Sequence, residues 1–145
     1  MTEPLAEFPG ASSPDLSARI AAAADVCRKP FLHAVVRLDA PEADPHAASL
    51  DALLDQGEDL HIRLECRDPQ GGRCVDQDLE LEVYRSGSDL NLMLCWWDQP
   101  ERPMLWQGQH PVWMDGTHGQ RCAAPQDAAP LEALTRRLRA LLVQG

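Results

Sequence analysis

Lysine is almost missing from this chain. Lys29 stands alone beside twelve arginines, and the 13 basic residues face 23 acidic ones for a net charge of −10. Nucleic-acid affinity comes largely from counterions released by clustered Lys and Arg, so a body this acidic argues against a phosphate-backbone partner. The preference for arginine, together with abundant alanine, points to a GC-rich bacterial coding sequence. No apolar run approaches the roughly 20 residues that a spanning helix needs, and the mean hydropathy is −0.34. Between Met1 and Ser13 lie Glu3 and Glu7 but no basic residue, so the positive region of a secretory signal is lacking. These absences predict a cytoplasmic protein without membrane contact.

The motifs of common chemistries are missing as well. There is no GxGxxG, no GxxxxGK followed by Ser or Thr, no HExxH and no GxSxG. The expectation is a non-enzymatic protein without a cofactor. Five cysteines, Cys27, Cys66, Cys74, Cys95 and Cys122, form no CxxC pair and read as small buried hydrophobes. The sharper reading of these residues is a zinc site of Cys95, His110, His118 and Cys122. Zinc draws its four ligands mostly in close pairs, and here only His118 and Cys122 are near each other.

What is present fits one ordinary globular domain: 145 residues, of which 44% are hydrophobic and 25% charged. We place a flexible tail at 1–13, where Pro4, Pro9 and Gly10 interrupt any period, and a single domain at 14–145. A first helix follows, with Ser13 as cap, Pro14 at its first position and Leu16, Ile20, Ala23, Ala24 and Cys27 on one face; Pro30 stops it. Residues 31–39, FLHAVVRLD, read as a strand. Asp44 and Pro45 predict the start of a second helix with Leu50, Leu53 and Leu54 inward and Gly57 beyond its end, and His46 in its first turn reads as solvated.

From residue 59 the period becomes twofold. Leu60, Ile62, Leu64 and Cys66, then Leu79, Leu81 and Val83, alternate with polar residues, as in an antiparallel sheet with one wet face. Arg63 and Arg67 are expected opposite Glu80 and Glu82 across the hairpin. His33 and His61 read as strand-face or core histidines. The third run, LNLMLCWW, continues the inward set with Leu90, Leu92, Leu94 and Trp96, but its outward positions are Asn91, Met93, Cys95 and Trp97. Three apolar side chains on that face call for a cover, because contiguous apolar patches tend to mark interaction sites. MLWQG and PVWMDG predict short strands near an edge, since Pro100, Pro103 and Pro111 cannot donate ladder hydrogen bonds. A final helix over 128–143 places Leu131, Leu134, Leu138, Leu141 and Leu142 on one face, with arginines toward its C-terminus. The fold class is therefore α+β: one antiparallel sheet of five or six strands, with two N-terminal helices and a C-terminal helix on one face.

Aromatics are scarce, at 5%, and all four tryptophans fall within residues 92–122. Trp96 continues a leucine face and reads as core. Trp97, Trp106 and Trp113 either pack the sheet or form a contact surface with Met93, rimmed by Asp98, Arg102, Gln107, Gln109, His110, Asp115 and His118. The leading expectation is a binding or assembly protein, chaperone-like in size and charge, that contacts a protein partner or a second copy of itself through this segment. The alternative is a small-molecule or carbohydrate-binding domain, or an enzyme, built around His110, His118 and Asp115.

Overall fold

The computed structural model describes residues 15–39 and 47–144. In chain order these hold α1 (Leu16–Cys27), β1 (Leu32–Arg37), α2 (Leu50–Asp55), β2 (Leu60–Arg67), β3 (Leu79–Ser86), β4 (Asp89–Trp96), β5 (Met104–Gln107), β6 (Pro111–Met114) and α3 (Ala128–Gln144), with a short 3-10 turn at Val75–Gln77. The six strands form one antiparallel sheet in sequence order β1-β2-β3-β4-β5-β6, a plain meander. The three helices lie on one face of it, giving the expected α+β architecture.

Periodicity explains which side chains go inside. Leu60, Ile62, Leu64 and Cys66 of β2, Leu79, Leu81 and Val83 of β3, and Leu90, Leu92, Leu94 and Trp96 of β4 are all buried under the helices. The register Leu79↔Trp96, Leu81↔Leu94 and Val83↔Leu92 keeps them on one face. Leu16, Ile20, Ala23 and Ala24 of α1 and Leu131, Leu134, Leu138 and Leu142 of α3 complete this core.

Several local expectations change. The caps foreseen at Ser13 and Asp44, the first-turn residues Pro14, Pro45 and His46, and the 1–13 tail lie outside the described residues. Asp15 caps α1 by accepting from the Ala18 amide, and Ser49 caps α2 by accepting from the Ala52 amide, so α2 begins at Leu50 rather than near Asp44. The last turn of α3 carries no basic residue. Arg136, Arg137 and Arg139 sit too far from the end for the helix dipole, whose effect fades within one turn. Arg63 does lie opposite Glu80 in register, yet its guanidinium turns to Asp78, while His61 takes Glu80. Arg67 faces Leu32 of β1 instead of a glutamate.

Candidate functional site

The helices cover one sheet face, and the other has a composition of its own. At the β1 edge it presents Leu32 and Val36, both exposed. Its middle is polar, with His61, Arg63 and Glu65 on β2 and Glu80 and Glu82 on β3. From β4 to β6 it becomes apolar again: Met93 pairs with Trp106, Trp106 with Val112, and Met104 with Met114. All of these and Cys95 are half-buried, in contrast to the core on the other side. Trp106 donates its indole Nε1–H to the Tyr84 hydroxyl at 2.9 Å, which ties the β5 ring to β3 across β4.

Trp97 continues this strip past the end of β4. Its amide donates to Asp78 O at 3.0 Å, and the Arg63 guanidinium carbon lies 4.2 Å from its ring centroid. Arg63 is held in turn by Asp78, a carboxylate with no solvent exposure that accepts from Arg63 Nε and Nη2 at 2.9 and 2.7 Å, from Arg73 at 2.9 and 2.8 Å, and from the Cys66 amide at 2.7 Å. Burial pushes the Asp78 carboxyl upward, but Arg73, the Cys66 amide and Arg63 outweigh it and hold it below the usual value. The outer face is thus anchored to the core at Asp78.

The structure divides the residues expected to form one surface. Met93, Trp97 and Trp106 share the outer face, and Asp98, in a left-handed turn at φ 56°, is exposed next to them. Trp113 and Gln107 do not belong with them. Strand alternation in the β5–β6 hairpin turns both to the helix side, where Trp113 donates to Glu132 Oε2 at 2.6 Å and Gln107 Oε1 accepts from the Thr135 hydroxyl at 3.3 Å. Arg102 also leaves the rim: its guanidinium carbon lies 3.7 Å from the Trp96 ring centroid and it pairs with Asp127. Gln109 and His110 are exposed in the β5–β6 turn, beside a cleft of about 380 Å³ that Trp106, Arg121 and Arg139 also line.

His118 is exposed at the other end of β6, in a turn that Asp115 builds by accepting from the Thr117 and His118 amides. Those bonds, that of His118 first, hold the Asp115 carboxyl below its ordinary range. The four residues of β6, about 10 Å of strand, separate His110 from His118. The tetrad Cys95, His110, His118 and Cys122 does not gather either. Cys95 is on the outer face, Cys122 packs against the core, and burial, with Glu80 and Glu82 nearby, pushes the Cys95 thiol up to about 12, far from thiolate. Among the described residues, the ligand-type side chains that do converge are His61, Glu80 and Glu82, with ligand atoms within 4.8 Å of one another. Sequence reading passed over this set because it depends on cross-strand register; His61 and Glu80 already satisfy each other as a hydrogen-bonded pair.

With strand order, register and the two faces established, comparison with known proteins gives one positive result: a model of a domain of unknown function (DUF8659) matches residues 17–141. The chain belongs to this family. The match runs from the first turn of α1 into the last turns of α3, so it takes in the whole described fold. No curated protein and no solved structure matches the chain. Among the described residues no helix is long and apolar enough to cross a membrane.

Proposed function

We propose that this chain is a non-enzymatic binding or assembly protein of the bacterial cytoplasm, and that the outer face of β4–β6 contacts a protein, in the first instance a second copy of the same chain. One observation carries the reading: Met93, Cys95, Met104, Trp106, Val112 and Met114 stand together on the sheet face opposite the helices. A strip of aromatic and sulfur-bearing side chains suits an interface core, where charged residues are depleted. The strip itself carries no charge, so two copies can meet on it despite a net charge of −10 each. The ligand reading that joins His110 to His118 has less support, since the two stand at opposite ends of β6.

The test is molar mass in solution by light scattering after gel filtration, over a range of concentrations. A dimer that Met93→Glu converts to monomer, with unchanged circular dichroism, supports the reading. A wild-type monomer at every concentration counts against a second copy as the occupant. A dimer indifferent to Met93→Glu removes the strip from the interface.

A further inference from the structure

On the helix side, away from that strip, we propose a ligand site: the cleft between the end of α1 and the start of α3 binds a carboxylate carried on a small apolar group, with Arg28 as its anchor. The proposal stands apart from the protein-contact reading and does not depend on it. The cleft measures about 170 Å³, and its lining includes Arg28, Lys29, Phe31, Trp96, Pro130 and Leu131.

Arg28 is the unusual residue. It is 7% exposed, yet among the described residues its oxygen and nitrogen acceptors are neutral: Gln77 O at 3.0 Å, Gln77 Oε1 at 3.1 Å and His33 Nε2 at 3.0 Å. His33 accepts here because its other nitrogen, Nδ1, faces Asp25 Oδ1 at 3.0 Å and carries the proton. A buried cation normally sits against a carboxylate, since desolvation is costly without one. The nearby carboxylates are engaged elsewhere: Asp78 by Arg63 and Arg73, Asp127 by Arg102 at 3.1 Å. The Cys66 thiol beside Arg28 stays neutral, its pKa pushed up to about 11 by burial. Trp96 and Phe31, with centroids 5.6 and 5.8 Å from the guanidinium carbon, supply only ring faces.

The hydrogen-bond inventory indicates what is missing. An arginine has five N–H groups. Nη1 uses both of its hydrogens and Nη2 one of its two. Because Gln77 spans Nη1 and Nη2 with its two oxygens, Nε–H and the second Nη2–H have no oxygen or nitrogen acceptor among the described residues, and the Cys66 sulfur within reach of the guanidinium is only a weak one. Those two N–H groups are the fork that grips a carboxylate with two parallel bonds. Arg28 itself lines the cleft.

Charge and shape narrow the ligand. Arg28, Lys29 and the neighbouring Arg102 outnumber Asp127, a positive locus in a strongly acidic chain. A single fork beside Asp127 suits a monoanion better than a phosphate dianion. The walls of Phe31, Trp96, Pro130 and Leu131 are apolar, and an engineered apolar cavity of roughly 150 Å³ admits benzene. The fitting class is an aryl or branched-alkyl carboxylic acid, or a peptide C-terminus ending in an apolar residue, which offers the same groups.

The experiment is a titration of the full chain with phenylacetate, followed by ¹H–¹⁵N spectra of the tryptophan indoles and by calorimetry, with phenylacetamide as the neutral isostere. A short peptide ending in free-acid phenylalanine and its C-terminal amide form a second pair. Acid binding that shifts the Trp96 indole, with the matching amide at least about tenfold weaker, is the expected result. The pair that binds more tightly identifies the source of the carboxylate. Arg28→Lys keeps the charge but loses the fork, and Lys29→Glu changes only an exposed lining residue. Each should weaken binding several-fold, Lys29→Glu without loss of fold. No saturable binding of either acid, equal binding of acid and amide, or binding unmoved in folded Lys29→Glu and Arg28→Lys overturns the proposal.

Discussion

Arg63 lies face-on to Trp97, its guanidinium carbon 4.2 Å from the ring centroid, while its nitrogens grip the buried Asp78. The tryptophan at the end of β4 is thereby fastened to β2 and cannot fold away from the outer face. Trp97→Ala should cost about 0.5–1 kcal/mol of stability for the lost cation–π contact, beyond its area term. It should also weaken any self-association, whereas His118→Ala leaves both unchanged. Urea melts and light scattering on the two variants check this; equal effects from both would sink the distinction.

Asp78 should be among the most sensitive polar positions. Asp78→Ala removes the carboxylate that Arg63, Arg73 and the Cys66 amide share, leaving Arg73 only the Cys66 carbonyl and the more distant Glu65, at a cost of about 3–5 kcal/mol. Its pKa is lowered in the folded state, so its stabilisation is complete above the ordinary value of 3.8 and is lost as pH falls through the folded value. Urea midpoints measured from neutral pH down to strongly acid conditions should show this loss in the wild type, and Asp78→Asn should lack it.

His33 gives a second pH dependence at higher pH. Burial, aided by the adjacent Arg28 and opposed by the bond to Asp25, lowers its pKa from 6.5. The unfolded chain then takes up a proton that the folded one refuses. Stability is full above 6.5 and falls as pH drops from there toward the folded pKa. Thermal melts between neutral pH and pH about 5 should show the decline in the wild type and a flatter curve in His33→Asn. Long-range ¹⁵N spectra at neutral pH should report the proton on Nδ1; a proton on Nε2 would contradict the Arg28 contact.

The two half-forgotten tryptophan hydrogen bonds should differ in weight. Trp113→Phe takes the donor from a half-buried, charged acceptor, the Glu132 carboxylate of α3, and should cost about 1 kcal/mol or more, in addition to the packing change. Trp106→Phe frees an equally half-buried but neutral hydroxyl, that of Tyr84, so its cost should be smaller. Urea denaturation of both variants tests the order, and a reversal would contradict the inward placement of Trp113.

Gly116 has no room for a side chain. A Cβ there would lie 1.9 Å from Pro100 O and 2.6 Å from Arg102 O, both backbone atoms that cannot turn aside. Gly116→Ala should cost about 1–3 kcal/mol and loosen the 98–103 loop. Hydrogen exchange across that loop, together with a thermal melt, would show it; an unchanged melt would contradict the close approach.

Much of the fold was legible because it rests on local periods. The alternation in Leu60–Cys66, Leu79–Val83 and Leu90–Trp96 placed ten of these residues and Trp96 correctly, since a twofold period has only two faces to choose from. The α3 leucines followed equally from their 3.6-residue spacing. The start of α2 was misplaced because Asp44-Pro45 and Ser49 both carry start signals, and the choice between them depends on where the chain meets β2.

The candidate sites were less legible, for a physical reason. Sequence alone determined that the chain is acidic, lacks recognisable catalytic motifs, makes an antiparallel sheet with three helices, and has a fourth strand, β4, that is apolar on its outer side. Only the tertiary structure decided that Trp113 and Gln107 face inward, that His110 and His118 stand at opposite ends of β6, and that Arg28 is buried among neutral partners. Periodicity is a property of neighbours along the chain. Charge pairing and clefts arise between residues such as Arg28 and Gln77, or Arg63 and Asp78, which only strand register and helix packing bring together.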